Sequence, residues 1–381
     1  MLAVIGILTI LVMLILIMTK RLQTLIALII VPVISCIIAG FSGSIILEEG
    51  EFSISTVGGF ITDGIKSISP TGVMFIFAIL FFGVLTDAGT FDPIIRKILK
   101  VVGKSPVKIC IGTAILACLV HLDGSGAVTF LVVIPAMMPL YKKLDMKMTT
   151  LATVTALGAG VMNMLPWGGP TIRAITALDS SVDEIFTPML VPFAAGIICV
   201  MAIAFFLGKK EERRLTGTLD SIEIEHEEYE QVETNELKRP KLFLFNIVLI
   251  IVAIIVLIKA ILPPAVVFML ATSIALLVNY PDIKTQKERV DAHAKSALMM
   301  ASMLFAAGAF IGIMQNSGTL NAMAESIVTI IPASLGSKIP LIVGVLSMPA
   351  SLIFDPDSYY YGVMPILAQA VSSYGIDPVM V

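Results

Sequence analysis

The segment from Val107 to Leu140 reads VKICIGTAILACLV-HLDGSG-AVTFLVVIPAMMPL, so two apolar arms of 14 residues flank a polar centre. As an α-helix each arm would be about 21 Å long, which is shorter than a hydrocarbon core of roughly 30 Å. Two short arms with a polar tip are typical of a re-entrant hairpin, and residues 107–141 are predicted to form one. Residues 338–371 repeat the design around Phe354-Asp-Pro-Asp-Ser-Tyr359.

The composition of the whole chain also indicates a membrane protein. The 381 residues are 57% hydrophobic and 14% charged, whereas soluble proteins carry about 25% charged residues. The net charge of −3 argues against a nucleic-acid partner, and the four cysteines lie in apolar stretches without metal-ligand spacing. Runs long enough to cross a lipid bilayer are predicted at about 1–19, 22–40, 71–90, 188–208, 243–262, 263–281 and 296–316, and another at 149–178 is interrupted by NMLPWGGPT at 163–171.

Clusters of Lys and Arg fall in alternate loops, which predicts the orientation of the chain. Basic loops such as 96–108 and 142–147 are expected to be cytoplasmic, and the acidic loops 48–51 and 179–184 to be outside. The first run has no basic leader and no cleavage site, so it is read as a retained span. We therefore predict a multi-pass protein of a bacterial cytoplasmic (inner) membrane with its N-terminus outside.

An internal repeat indicates the architecture. The segment GVLTDAGTFD at 83–92 aligns without a gap with GIMQNSGTLN at 312–321, an offset of 312 − 83 = 229 residues. Charge counting gives the two segments opposite directions through the membrane. The predicted fold is an all-α polytopic membrane protein with a first inverted half at 1–208, a cytoplasmic linker at 209–241 and a second half at 242–381.

Inverted repeats with broken helices are typical of secondary transporters, whose substrate site lies near the bilayer midplane. The broken helix of the first half starts its break 163 − 123 = 40 residues after the first tip. The same spacing puts a second break near position 395, so the closing elements of the second half are expected beyond Val381.

The predicted substrate and ion site consists of polar and small residues at both tips and at the break. Its members are Asp123, Gly124, Ser125 and Gly126 at the first tip, Asn163, Trp167, Gly168, Gly169, Thr171 and Arg173 at or after the break, and Asp355, Asp357 and Ser358 at the second tip. An ionisable residue at membrane depth is by default a functional hypothesis. Asp123 is assigned to the site on that ground, although it also suits an N-cap.

Individual roles follow from side-chain chemistry. Asp355 and Asp357 offer hard oxygen ligands to a divalent metal; capping would explain Asp355 but leaves Asp357 without a role. Ser125 and Ser358 either bind a carboxylate or a cation or simply cap a helix.

Three further residues carry two interpretations each. Arg173 presents a planar cation suited to a carboxylate, or it pairs with Asp179 or Asp183. His121 carries the coupling proton together with Asp123, or a backbone carbonyl satisfies it. Trp167 either forms a cavity wall or is an ordinary packing aromatic.

The tips HLDGSGA at 121–127 and FDPDSYYYGVMP at 354–365, with NMLPWGGPT at 163–171, resemble the citrate–divalent-metal:proton symporter family (CitMHS) of the ion transporter superfamily. The likeness covers essentially the whole chain and implies proton-coupled uptake of citrate complexed with a divalent metal of the Mg or Ca class. It also implies no permanently bound cofactor and a homodimer with a scaffold domain and a mobile transport domain, as in elevator-type carriers. By this resemblance the ligand is held among Asp123, Ser125, Asn163, Gly168, Gly169, Thr171, Asp355 and Ser358. The chain departs from the family pattern at the C-terminus, since the closing broken helix of the family is expected beyond Val381.

Two rival functions stay open at this point. A sodium-coupled di- or tricarboxylate carrier, or another anion carrier of the same superfamily, would use the same scaffold. An intramembrane aspartyl protease is the remote alternative, suggested by two Asp residues in membrane segments. Such an enzyme needs both Asp residues on spans that face each other. Asp123 and Asp355 instead occupy the tips of predicted hairpins, so a transporter is predicted rather than an enzyme.

Overall fold

The computed structural model describes residues 1–45, 52–103, 105–124, 126–215, 236–259, 261–330, 338–353, 356 and 358–380. The elements in these ranges are helical, and the described residues contain no β-strand. The α-helices are α1 (Leu2–Met18), α2 (Thr24–Phe41), α3 (Ile54–Asp87), α4 (Asp92–Val102), α5 (Pro106–Val120), α6 (Gly126–Lys143), α7 (Met148–Met162), α8 (Gly169–Leu178), α9 (Val182–Arg214), α10 (Phe243–Ile258), α11 (Pro264–Asn279), α12 (Ile283–Asn316), α13 (Thr319–Ile330), α14 (Ile339–Ile353) and α15 (Met364–Ser372). Three-residue 3₁₀ turns cover His121–Asp123, Pro240–Leu242 and Pro378–Met380, and a π-helix covers Ser358–Val363.

Several of these helices have the length and apolar composition of membrane spans. They are α2, α3, α9, α12 and the segment Pro240–Leu257, while α1, α5, α7 and α11 are shorter apolar helices. Three helices extend beyond the predicted apolar runs: α3 begins at Ile54, α9 covers Val182–Arg214 and α12 begins at Ile283. A helix satisfies its backbone hydrogen bonds internally whatever its side chains, so it continues beyond the apolar window that hydropathy detects.

Local sequence signals explain where the long helices begin. At the start of α9, the Glu184 carboxylate accepts from the Ser181 amide at 2.9 Å and the Ser181 hydroxyl accepts from the Glu184 amide at 3.3 Å, which is a capping box. At the start of α12, the Asp282 carboxylate accepts from the Thr285 amide at 2.9 Å. That hydrogen bond is the main cause that lowers the pKa of Asp282.

The helices α3 and α12 match each other by the offset that the sequence repeat predicts. Both are 34 residues long, and their bounds differ by 283 − 54 = 229 and 316 − 87 = 229. Each is followed by a glycine in the left-handed region, Gly89 at φ 70° and Gly318 at φ 72°, which glycine adopts without steric cost. The amides of these glycines donate over 2.9 Å to the carbonyls of Thr86 and Gln315. The repeat is therefore visible as two equal local structures, while its inversion across the membrane stays a prediction.

The chain divides into two compact units that both draw on the two predicted halves. The first unit comprises Met1–Ile76, Pro170–Ile185 and Leu298–Val381, and the second comprises Phe77–Gly169 and Phe186–Ala297. The compact units therefore differ from the division along the chain, and the inverted halves at 1–208 and 242–381 stay a prediction.

In the first unit, α3 and α12 cross in backbone contact. A Cβ atom added at Gly64 would lie 2.0 Å from the Gly308 carbonyl oxygen, and one at Gly312 would lie 2.3 Å from that of Phe60. Small residues allow membrane helices such close approach. Helices α1, α12, α13 and the π-helix contribute to one buried apolar core, whose members include Met13, Phe310, Met323 and Tyr361.

The first predicted hairpin lies in the second unit and consists of two helices of 15 and 18 residues, α5 and α6. Its second arm is longer than the predicted 14 residues. The hydroxyl groups of Thr113 and Tyr141 join the arms at 3.3 Å. Helix α7 packs against α5 so closely that a Cβ at Gly158 would lie 2.7 Å from that of Ala117. The second predicted hairpin corresponds to α14 and the π-helix with α15 in the first unit, where Val343 and Val371 share one apolar cluster.

Candidate substrate site

The tip of the first hairpin lies between the end of α5 and the start of α6. After α5 ends at Val120, a 3₁₀ turn covers His121–Asp123, Gly124 follows at φ 73°, and α6 begins at Gly126. Residues with a side chain rarely adopt that φ. Ser125 lies outside the described residues, and the Asp123 side chain is likewise not described.

His121 connects the tip to the helix break. Its ring is buried, with Nδ1 2.8 Å from the Thr129 hydroxyl on α6 and Nε2 3.0 Å from the Asn163 side-chain oxygen. An amide oxygen can only accept, so in this assignment Nε2 carries a proton and donates it. The neutral ring then uses Nδ1 to accept from Thr129. The partners of His121 are therefore two side chains rather than the backbone carbonyl considered from sequence, and its role in proton coupling stays a prediction.

Trp167 makes the second connection between the break and the tip. Its indole Nε1–H donates to the Leu122 carbonyl at 2.8 Å. The ring is stacked with Phe82 at 5.5 Å between centroids and meets Phe268 edge-on at 5.3 Å. With only 3% of its surface exposed, Trp167 is a packed aromatic that also positions the tip.

The break itself is a tight loop from Asn163 to Gly168. The Gly168 amide donates to the Leu165 carbonyl at 2.8 Å, and a Cβ at Gly168 would lie 2.2 Å from the Asn163 carbonyl oxygen. Helix α8 then begins at Gly169. The helices α6 and α8 thus begin at residues predicted for the site, and helix N-termini favour anions through their free N–H groups and partial positive charge.

The remaining predicted residues belong to the first unit. Thr171 is buried on α8, and Arg173 is half-buried and interacts electrostatically with Tyr360 of the π-helix. Asp179, one of the alternative partners considered for Arg173, accepts from the Ser67 hydroxyl. The structure thus brings His121, Asn163 and Trp167 together with the first tip, and separately brings Arg173 to the helix after the second tip.

The second tip is described only in part. Asp355 and Asp357 lie outside the described residues, and the backbone but not the side chain of Ser358 is described. Ser358 begins the π-helix, a conformation frequent at functional sites. Across the described ranges no three His, Cys, Asp or Glu residues converge as a metal site, and the role of Asp355 and Asp357 toward a metal stays a prediction.

Sequence reasoning missed a charged cluster at the end of α3. The Asp87 carboxylate accepts from Arg289 at 3.1 Å and lies 2.9 Å from His293 Nε2, both on α12. Asp87 belongs to the repeat segment, where it aligns with Asn316 (87 + 229 = 316). The carboxylate of Asp87 where the repeat has the amide of Asn316 was the sequence signal that could have indicated a charged partner.

The residues that the structure describes are helical, and several of their helices are apolar and long enough to span a membrane. They define a multi-pass membrane protein, and a hairpin with a polar tip beside a helix break is an arrangement typical of transporters. Comparison of the whole chain then supplies the family. The family described as "Citrate transporter" (CitMHS) matches residues 2–381, and the chain belongs to it.

Three relatives from Bacillus subtilis (strain 168) match nearly the entire chain. The "Citrate transporter" is 45% identical over 377 residues, covering 99% of this chain and 85% of the relative. The "Mg(2+)/citrate complex secondary transporter" is 41% identical over 380 residues, and the "Uncharacterized transporter YraO" is 38% identical over 386 residues; each covers 100% of this chain and 85% of the relative. The family and these relatives are transporters, so the chain is a transporter and not an enzyme.

Proposed function

We propose that the protein is a secondary active transporter that takes up citrate as its complex with a divalent metal ion, driven by protons. The observation that carries this proposal is the bonding of the hairpin tip to the helix break, through His121–Asn163 and Trp167–Leu122, in a chain that matches the citrate transporter family over residues 2–381. A relative that is 41% identical is named for transport of a Mg(2+)/citrate complex.

The chemistry of the candidate residues suits this substrate. Citrate bound to a divalent ion is still a net anion, which helix N-termini such as those of α6 and α8 favour. The Arg173 guanidinium suits a carboxylate. Asp355 and Asp357 would face the metal with hard oxygen atoms, and Asp123 or His121 would exchange the coupling proton. The metal is then part of the substrate.

We further propose that the two halves are inverted in the membrane and that a homodimer moves the substrate by an elevator-type motion. The support is the equal length and constant 229-residue offset of α3 and α12. Inverted repeats of this kind place the substrate between broken elements near the midplane.

The test is uptake of radiolabelled citrate by proteoliposomes that contain the purified full chain. Uptake is expected to require both a divalent metal such as Mg²⁺ and an inward proton gradient, and to be indifferent to sodium. Uptake that needs sodium but neither metal nor proton gradient would identify a sodium-coupled anion carrier and overturn the proposal.

Two variants assign the site in the same assay. Asp123→Ala and Asp355→Ala are each expected to abolish uptake while leaving the amount of protein in the membrane unchanged, because each removes a predicted carboxylate from a tip. Near-normal uptake in either variant would remove that residue from the site.

A further inference from the structure

The short helix α4 separates charge from apolar surface along its length. Its three cations, Arg96, Lys97 and Lys100, are exposed and fall within about 100° of one another around the helix axis at 100° per residue. The opposite side consists of Ile94, Ile95, Ile98, Leu99 and Val102, which are half-buried or buried. We call the three cations the basic face of α4.

The apolar side of α4 packs on the hairpin, which leaves the basic face outward. A Cβ added at Gly112 of α5 would lie 2.6 Å from Val102 and 3.0 Å from Ile98. Within the described part of the chain, none of the three cations has an ion pair or hydrogen bond. The surface lysines Lys284 and Lys287 on α12, in contrast, have the acidic residues Glu288 and Asp291 in the same or the next helical turn.

The basic face is not demanded by the place of α4 in the fold. The matching helix of the repeat is α13, whose sequence TLNAMAESIVTI contains no Lys or Arg. Arg96 corresponds to Glu325 (96 + 229 = 325), and both residues are exposed. A helix at this position can therefore carry an acidic residue where α4 has a cation, so packing does not require the charge of α4. Its positive charge agrees with the predicted cytoplasmic side of this loop.

We propose that the basic face of α4 binds the phosphate headgroups of anionic phospholipids. A helix with Lys and Arg on one face and aliphatic residues on the other is typical of the membrane interface, and clustered cations next to a membrane attract anionic lipid. Val101, 64% exposed at the border of the apolar side, would reach the acyl boundary. The predicted position of the loop at the cytoplasmic surface supplies the partner. This inference does not depend on the substrate.

The test measures thermal unfolding of the purified full chain in neutral detergent during titration with phosphatidylglycerol or phosphatidylcholine. Phosphatidylglycerol is expected to stabilise the protein at lower concentration than phosphatidylcholine. In the variant Arg96→Gln/Lys97→Gln/Lys100→Gln, the concentration for half-maximal stabilisation should rise on the order of 100-fold, from the contribution of about fivefold per cation. High salt should weaken the effect in the unmodified protein.

Matched variants separate a lipid site from net charge. Lys284→Gln/Lys287→Gln/Lys295→Gln removes the same number of exposed cations from α12 and should leave the titration unchanged. Arg96→Lys/Lys97→Arg/Lys100→Arg keeps the charge and should respond to the lipids like the unmodified protein. This variant tests the role of charge even where the neutral variant folds poorly. The proposal is overturned if both lipids act equally, if the α12 variant loses as much as the α4 variant, or if inorganic phosphate stabilises as well as the lipid does.

Discussion

Trp167 shows how one residue can serve both packing and positioning. Its ring fills an apolar space between Phe82 and Phe268, while its single polar atom binds the Leu122 carbonyl in the hairpin tip. The Leu122 carbonyl is only part-buried, so loss of its donor costs it one hydrogen bond. The indole N–H therefore fixes the position of the tip relative to the break, where the substrate is proposed to bind.

The variant Trp167→Phe is expected to raise the KM for citrate uptake about fivefold, because it keeps an aromatic ring but removes a hydrogen bond worth about 1 kcal/mol. The maximal rate should change less than KM. The measurement is citrate uptake as a function of concentration in proteoliposomes. Phe82→Leu is the control, since it weakens the stacking but retains the N–H donor and should leave KM near its original value. A lower unfolding temperature with unchanged KM would mean that Trp167 only packs.

For individual residues, the sequence predicted that the first tip and the break belong to one site, but it did not predict the hydrogen bonds that join these two segments. The residues His121 and Asn163 were selected from polar character within apolar surroundings, and the structure joins them. Thr129 and the charged cluster of Asp87 with Arg289 and His293 were not foreseen. Asp87 is 202 residues from Arg289 and 206 residues from His293 along the chain. Only the tertiary packing of the helices brings these side chains together.

The crossing of α3 and α12 depends on direct contact between two helix backbones. The backbone of Gly64 lies against the backbone of Gly308 and Gly312, so neither helix can move aside locally. Sequence patterns predicted a helix at both places, but the predicted apolar runs began only at 71 and at 296. Polar residues in the first turns of these helices conceal the helical continuation from a hydropathy window.

Replacing Gly64 by Ala tests this crossing. The added Cβ would lie 2.0 Å from the Gly308 carbonyl oxygen, and we expect the free energy of unfolding to fall by about 1–3 kcal/mol, as for other overpacked sites. Gly59→Ala on the same helix is the matched control, because its Cβ would meet no atom within 4 Å. That control should be neutral or stabilising by roughly 0.5–1 kcal/mol. Thermal unfolding in detergent measures both variants; equal stability would show that the two helices can separate without cost.

For the whole molecule, the repeat and the compact units describe different things. The sequence repeat relates residues by a shift along the chain, and α3 and α12 reproduce it in length and in their terminal glycines. Each compact unit nevertheless combines segments from both halves. Shift arithmetic could predict the matching helices because it needs only local signals. It could not predict which helices pack together, since that depends on contacts between distant segments.

Inversion of the halves predicts opposite membrane sides for residues that the repeat makes equivalent. Arg96 on α4 and Glu325 on α13 are such a pair, both exposed. In a background with Cys36, Cys110, Cys118 and Cys199 replaced by Ala, a membrane-impermeant maleimide should label Glu325→Cys in intact cells and Arg96→Cys only after permeabilisation, because positive charge is retained in the cytoplasm. Reversed accessibility of both would correct the orientation but keep the inversion. Labelling of both from the same side would instead make the repeat parallel, and the proposed elevator mechanism would lose its structural basis.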